Sequence, residues 1–222
     1  MTARTAFVVG ATGLIGKRLL SILLKPGYYD QVIALTRKPL AAHPGLKNLV
    51  GGYEDLDDLS KEIKGDDVYC CLGTTMKTAG SEENFRQVDF EYPVKVAELA
   101  LKNGAQQFLI ITAMGADPKS SVFYNRVKGE VEERLKHISY PSLHVFRPAL
   151  LLGPRDEKRL GEAAAQKIFK GINFLFVGPL KKYKAIHYEK VANAMFSVAK
   201  ERKKGVYIHE SDELQGFAEN GA

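Results

Sequence analysis

Tyr124 and Lys128 stand four residues apart in Tyr124-Asn125-Arg126-Val127-Lys128. On a helix that spacing puts both side chains on one face, one turn apart. A phenol beside an ammonium is a proton-transfer device. A free phenol ionises near pH 10, too high to act as a base at neutral pH, and a neighbouring cation favours the phenolate and brings it toward working range. The chemistry this suits is giving a proton to a carbonyl oxygen, or taking one from an alcohol, while a hydride moves at the adjacent carbon. Lys128 could also hold a cofactor ribose. Thr112 is the hydroxyl best placed to orient the substrate oxygen, since it closes an apolar run, Gln107 to Thr112, that reads as a strand. Ser120 and Ser121 lie closer to Tyr124 in sequence, but read as capping residues for the helix that follows.

A hydride needs a carrier, and the N-terminus offers a place for one. The apolar Ala6-Phe7-Val8-Val9 runs straight into Gly10-Ala11-Thr12-Gly13-Leu14-Ile15-Gly16, and an apolar helical stretch follows. Three glycines at this spacing are moderate evidence alone; between a strand and a helix they become strong. Gly10 supplies the tight turn, Gly13 lets the backbone approach a pyrophosphate, and Gly16 permits close helix packing, while the helix start offers free N–H donors. The second strand ends in Thr36-Arg37-Lys38, where a site selective for NAD would often carry Asp or Glu for the ribose hydroxyls. Arg37 and Lys38 instead suit a 2′-phosphate, so the sequence favours NADP(H) as the cofactor.

These residues need a frame. Apolar runs predict strands at Thr5 to Gly10, Gln31 to Thr36, Leu46 to Gly51, Asp67 to Gly73, Gln107 to Thr112, Ser142 to Arg147 and Gly205 to His209. Helix-like spacing covers Leu14 to Lys25, Leu56 to Lys64, Asn84 to Lys102 and Tyr124 to His137. The alternation predicts an α/β fold, a Rossmann-like doubly wound parallel sheet with right-handed crossovers. The expected organisation is one domain over residues 1–222, with a nucleotide-binding core at 1–149 and a cover segment plus closing helix and strand at 150–222. Within that cover, Arg155 to Tyr188 mixes glycines with amphipathic pieces and reads as the substrate side, and Tyr188 to Lys200 reads as a helix docked on the core.

Composition narrows the function classes. The chain has 222 residues, 45% hydrophobic and 26% charged, which suits one globular core. Its apolar runs fall far short of the roughly 20 residues that span a bilayer, and its start lacks the features of a secretory signal, so a cytoplasmic protein without membrane partners is expected. Cys70 and Cys71 are adjacent and, on a strand, point to opposite faces as reduced packing residues. Residues 158–204 carry 12 Lys and Arg against 3 Asp and Glu. No nucleic-acid motif accompanies that charge, so it reads as solvated and no nucleic-acid partner is expected. No spaced Cys and His cluster indicates a metal. His187 reads as a packing or capping residue, and Asp117, Glu130 and Glu132 as structural or solvated groups. Met76, Met114, Phe123 and Phe174 could line a substrate pocket or belong to the core.

Together these features resemble the short-chain dehydrogenase/reductase superfamily, in its atypical branch, and within it the Tat-interactive protein family. The resemblance rests on the glycine loop, on Cys70-Cys71-Leu72-Gly73-Thr74-Thr75, Lys77-Thr78-Ala79-Gly80 and Gly115-Ala116-Asp117, on Tyr124 through Glu132, and on Phe146-Arg147-Pro148. It implies an NADPH-dependent oxidoreductase acting on a small carbonyl substrate, with Tyr124 as proton donor or acceptor. It places the cofactor at Thr12, Gly13, Leu14 and Ile15, at Arg37 and Lys38, beside Leu72 and Gly73, and at Tyr124 and Lys128, with Leu151 and Arg159 contributing from the cover. Two departures stand out. The superfamily's usual serine falls among Ile111, Thr112 and Ala113, so only Thr112 supplies a hydroxyl; and the acidic residue often found after the third strand appears as Gly52. A non-catalytic NADPH-binding regulator with a protein partner is the alternative reading, and a homodimer is open.

Overall fold

The computed structural model describes residues 3–154 and 184–217. Arg159, Phe174 and most of the Arg155 to Tyr188 stretch lie outside the described residues. The strands are β1 (Thr5–Val9), β2 (Gln31–Thr36), β3 (Leu46–Val50), β4 (Asp67–Cys70), β5 (Gln107–Ile111), β6 (Ser142–Arg147), β7 (Leu151–Leu152), β8 (Ile186–His187) and β9 (Gly205–Glu210). The helices are α1 (Leu14–Leu23), α2 (Met76–Ala79), α3 (Glu82–Arg86), α4 (Tyr92–Lys102), α5 (Phe123–Lys136), α6 (Tyr188–Glu201) and α7 (Ser211–Gly216).

Seven strands form one sheet in the order β3-β2-β1-β4-β5-β6-β9, every pair parallel. Such a sheet must be covered on both faces, which is why its central strands read as unbroken apolar runs. Alternate residues feed two cores. Ala6 and Val8 point to the layer of α1 and α6, with Leu19, Val191 and Met195, whereas Phe7 and Val9 point to the layer of α4 and α5, with Val96, Val131 and Leu135. Cys70 belongs to the second layer and Cys71 packs against the first, on opposite faces as expected. The chain leaves β1 toward β2 and β3, then returns to β4 on the other side. The reversal of direction between β1 and β4 opens a crevice at their carboxyl ends, where ligands of this architecture bind.

Three stretches differ from the sequence expectation. The apolar spacing of Leu56 to Lys64 builds turns rather than a helix: Leu59 and Ile63 donate four residues back, but Ser60 and Glu62 donate only three, and the ladder never becomes continuous. Leu56 and Ile63 are nonetheless buried. The expected Asn84 to Lys102 helix is α3 and α4 joined by a π-helical turn over Gln87–Glu91. The widening adjoins Pro93, which has no N–H to give the Asp89 carbonyl. Beyond the core, β7 and β8 pair in parallel, Leu151 opposite Ile186, as a two-stranded sheet that tests of periodicity over so few residues do not reveal.

Candidate functional site

The glycine loop leaves β1 at the crevice. Gly10 has φ +82°, and a Cβ there would overlap the Cys71 carbonyl and come within 2.7 Å of the Leu72 nitrogen. At Gly16 a Cβ would collide with the Gly10 carbonyl oxygen. Both glycines are therefore required by the fold, since they let the loops after β1 and β4 and the start of α1 close on one another. Gly13 differs. Its backbone is extended, its nearest neighbour to a Cβ is Gly10 O at 3.4 Å, and it is exposed together with Thr12. Among the described residues nothing crowds a side chain at this position, and a glycine at this offset in such a loop is what lets a ligand approach the backbone. Gly13 is also the N-cap of α1, with no side chain capping it and no acidic residue in the first turn, so the first N–H groups face the crevice. Leu14 is half-buried and Ile15 buried, so Ile15 can offer only its backbone to a ligand.

At the end of β2, buried Thr36 donates its hydroxyl proton to Lys38 O at 2.8 Å and accepts from Asn48 Nδ2 at 2.8 Å. That fixes the turn presenting Arg37 and Lys38, both exposed and, among the described residues, outside any ion pair. Gly52, which stands in place of the expected acidic residue, gives its N–H to Asp55 Oδ2 at 2.7 Å. Leu151 in β7 is half-buried against the α1 layer. Two residues on, a Cβ at Gly153 would stand 3.0 Å from Leu14 Cδ2, which brings this strand beside the start of α1.

Across the crevice, α5 carries the candidate pair. Gly129 lets the loop after β5 press on this helix, since a Cβ there would overlap the Asp117–Pro118 peptide, and Asp117 N–H is given to Asn125 O at 3.1 Å. Tyr124 stands in the first turn, 37% exposed, with its ring edge-on to Phe85 at 5.7 Å, and Phe123 packs on the same Phe85 at 5.5 Å. Lys128, one turn deeper, is buried. Its ammonium lies 2.6 Å from Asp89 Oδ1, off the direction of a well-aligned hydrogen bond, so the contact is chiefly ionic. Asp89 Oδ2 accepts the Thr74 N–H at 2.9 Å, and Gly73 lies directly over both groups, with a Cβ position 3.7 Å from Asp89 Oδ1 and 3.9 Å from Lys128 Nζ. Burial works against the charge on Lys128, but the Asp89 carboxylate, aided by Tyr124, raises its pKa above the ordinary value. Lys128 thus stays charged at neutral pH.

Asp89 is the site residue that sequence reasoning missed. It projects from the π-helical turn, a distortion often found at functional sites, and nothing in local spacing links it to Lys128. Thr112 requires a correction. Its hydroxyl donates to Glu132 Oε1 at 2.7 Å, and Glu132 is clamped by Arg147 through Nε at 3.1 Å and Nη2 at 2.5 Å. Its proton is committed to a buried network that ties β5 and β6 to α5, not to the crevice. Ser120 and Ser121 do not cap the helix directly: the N-cap is Val122, and Ser120 Oγ accepts the N–H of Val122 itself at 3.1 Å. Glu130 pairs with Arg86 at 2.6 Å, and Asp117 accepts the Lys119 N–H. His187 occupies the N-cap position of α6 without a side-chain bond to it. Among the described residues no cluster of three His, Cys, Asp or Glu could hold a metal, and no helix is long and apolar enough to cross a membrane.

Residues 10–144 match the family model described as NAD(P)H-binding. The chain belongs to that family. It is 38% identical over 174 residues to Protein HTATIP2 of Rattus norvegicus, covering 76% of this chain and 72% of that one, which bears out the resemblance to the Tat-interactive protein family. It is 28% identical over 204 residues to Protein FMP52, mitochondrial, of Debaryomyces hansenii, covering 89% and 88% of the two chains. Among solved structures, the Bordetella bronchiseptica enzyme WbmH in complex with NAD+ shares the fold with a TM-score of 0.70, at 19% identity, over 94% of this chain and 76% of that one. The protein is therefore a Rossmann-fold member of an NAD(P)H-binding family.

Proposed function

We propose that the protein is an NADPH-dependent reductase of a small carbonyl compound. The observation that carries this reading is the convergence on one crevice of Gly13, the uncapped start of α1, exposed Arg37 and the Tyr124 and Lys128 pair. The residues fit the cofactor. Gly13 leaves the room a pyrophosphate needs, the N–H groups at Leu14 and Ile15 face it, and Thr12 is exposed beside it. Arg37 and Lys38 would hold the 2′-phosphate, Leu72 and Gly73 would line the nicotinamide side, and Leu151 would flank the loop from β7. Arg159 belongs to the same proposal through the family resemblance alone. When bound, NADPH supplies the hydride.

The chain supplies the proton. Tyr124 gives its phenolic proton to the carbonyl oxygen as that oxygen gains electron density, and the buried charge of Lys128 stabilises the phenolate left behind. Asp89 holds Lys128 in place and charged. The direction could equally be alcohol oxidation, in which Tyr124 takes the proton. Thr112 acts through Glu132 on the position of α5 rather than on the substrate.

Two measurements test this. NADPH and NADH are titrated in parallel into nucleotide-free protein, and NADPH into Arg37→Ala; tighter binding of NADPH, weakened about tenfold or about 1.4 kcal/mol in the variant, is the expected result. With a carbonyl panel, Tyr124→Phe is expected to lose at least about a hundredfold in turnover while its NADPH affinity stays unchanged. Binding of neither nucleotide sinks the cofactor reading, and unaltered turnover sinks the role of Tyr124. NADPH binding without turnover on any carbonyl favours the regulator instead.

A further inference from the structure

The carboxyl edge of the sheet has two halves of different character. After β2 and β3 the loops carry charge, with Arg37 and Lys38, then Glu54 and Asp55. After β4, β5 and β6 they carry none: Cys71 to Met76, Thr112 to Ala116 and Pro148 to Gly153 hold no Asp, Glu, Lys, Arg or His. These three stretches meet around the first turns of α5. Gly73 lies over Lys128, a Cβ at Gly115 would stand 3.4 Å from Asn125 Nδ2, and the Met114 N–H is given to Pro148 O at 3.1 Å. Two of their three threonines are turned into the protein, since Thr75 Oγ1 accepts the Thr78 N–H at 3.2 Å as the cap of α2 and Thr112 donates to Glu132.

Apolar side chains are exposed on this half. Met76 is 40% exposed and Val122 55%, beside Tyr124 at 37%; the other exposed large apolar side chains among the described residues stand on the two edge strands, β3 and β9. Met76 lies two residues beyond Thr74, whose N–H is bound to Asp89 next to Lys128, and Val122 lies two residues before Tyr124. Met114 is half-buried in the loop between them. The cations on α3 and α5 already have partners: Arg86 pairs with Glu130 at 2.6 Å, Lys128 with Asp89 at 2.6 Å, and Arg126 gives Nη1 to Ser120 O at 3.0 Å. A site for a charged or hydroxyl-rich substrate keeps unpaired donors, as the cofactor half does at Arg37 and Lys38. A mostly apolar surface with one placed polar group, here the Tyr124 hydroxyl, is how a pocket holds an apolar molecule in a fixed orientation.

We infer that the substrate presents its carbonyl to Tyr124 on an uncharged apolar body, an alkyl chain or a ring, which lies against Met76, Met114 and Val122. The inference rests on the reading of Tyr124 as proton donor and narrows the substrate from any small carbonyl compound to apolar aldehydes and ketones. The carbonyl carbon takes a hydride from NADPH and its oxygen takes the Tyr124 proton, so the products are an apolar alcohol and NADP+, and solvent returns the proton to Tyr124.

Straight-chain aldehydes from propanal to decanal are compared as substrates of the NADPH-loaded full chain, beside an aldehyde of middle length that ends in a carboxylate. kcat/KM is expected to rise about two- to fourfold for each added CH2 until the surface is filled, the upper figure corresponding to about 0.8 kcal/mol per buried CH2, and to fall about tenfold or more for the carboxylate. Met76→Ser and Val122→Ser are expected to flatten the rise, with NADPH affinity and circular dichroism unchanged. Straight-chain carboxamides present a carbonyl but accept no hydride, so they give a readout without turnover. Titrated into the NADPH-loaded protein, they are expected to bind more tightly with length, and several-fold more weakly to Tyr124→Phe. A flat aldehyde series overturns the inference and leaves the reductase standing, as does a preference for the carboxylate, which would point to Lys77. A rise that survives both serine substitutions overturns the seating on Met76 and Val122. Carboxamides that bind by length while no aldehyde is reduced keep the apolar site and overturn the reductase; neither binding nor turnover overturns both.

Discussion

Asp67 and Asp89 are buried carboxylates at opposite ends of the sheet, and they are held in opposite ways. At the amino end, Asp67 of β4 accepts from the Tyr29 hydroxyl at 2.7 Å and from Gln107 Nε2 at 2.7 Å, and Tyr29 is also 2.8 Å from the Tyr69 hydroxyl. At the carboxyl end, Asp89 faces the Lys128 ammonium and a single backbone N–H. The first is a closed network of neutral donors, and burial raises the Asp67 pKa. The second is an ion pair beneath Gly73, beside the crevice. Neutral donors stabilise a buried carboxylate without needing an opposite charge, so they suit a structural lock. An ion pair keeps a cation where no packing argument requires one, which is the arrangement expected of a site that needs charge.

The comparison breaks most visibly at Asp89. Asp89→Ala leaves the Lys128 ammonium buried and unpartnered, and should cost about 3–5 kcal/mol of stability in chemical denaturation. Asp89→Asn keeps the shape but not the charge and should cost less. If Asp89→Ala is no less stable than wild type, the ion pair is not what holds Lys128 there. Turnover, where a substrate is found, should fall in both variants because Lys128 loses its position or its charge.

Thr112 sits between the two regimes, a neutral donor serving a charged network. Thr112→Val removes the donor from Glu132 while Arg147 remains, and should cost about 1.5–3 kcal/mol, the range for a hydrogen bond to a charged group. Thr112→Ser retains the donor and should recover most of it. A variant whose stability is unchanged but whose turnover is lost would return Thr112 to the substrate, contrary to its contact with Glu132.

The legibility of the two ends in the sequence follows from the same contrast. The strand positions were readable because parallel strands covered on both faces demand apolar runs, and β2 and β6 span the residues those runs predicted. The glycine loop was readable because turn, close approach and helix packing each require glycine at a fixed offset. Tyr124 and Lys128 were readable because they lie one helical turn apart. Asp89 was not, because it reaches Lys128 from 39 residues away in the chain. Thr112 was misread for a related reason: position at a strand end gave its location, but not Glu132, which takes its proton from a facing helix. The turns at residues 54–62 show the limit of periodicity, since apolar residues at helical spacing can be buried without a helix.

The smallest effect is expected at Asp67, and its sign is the sharpest check. Burial holds its folded-state pKa above the ordinary carboxylate value, so the folded protein binds this proton more tightly than the unfolded chain does. Its contribution to stability is therefore fully present below about pH 4, the unfolded value, and is lost as pH rises through the raised folded value. Asp67→Asn removes the titration. An asparagine can accept from Gln107 through its oxygen and donate to the Tyr29 oxygen, while Tyr29 turns its own proton to Tyr69; the network keeps three hydrogen bonds without the buried charge, and the Tyr69 proton gives up its acceptor. The variant should match or slightly exceed wild type in thermal unfolding near pH 8, and lose that advantage as the pH is lowered toward 4. A large loss of stability near pH 8 would mean that Asp67 needs its charge as Asp89 does, and the contrast between the two ends would fail.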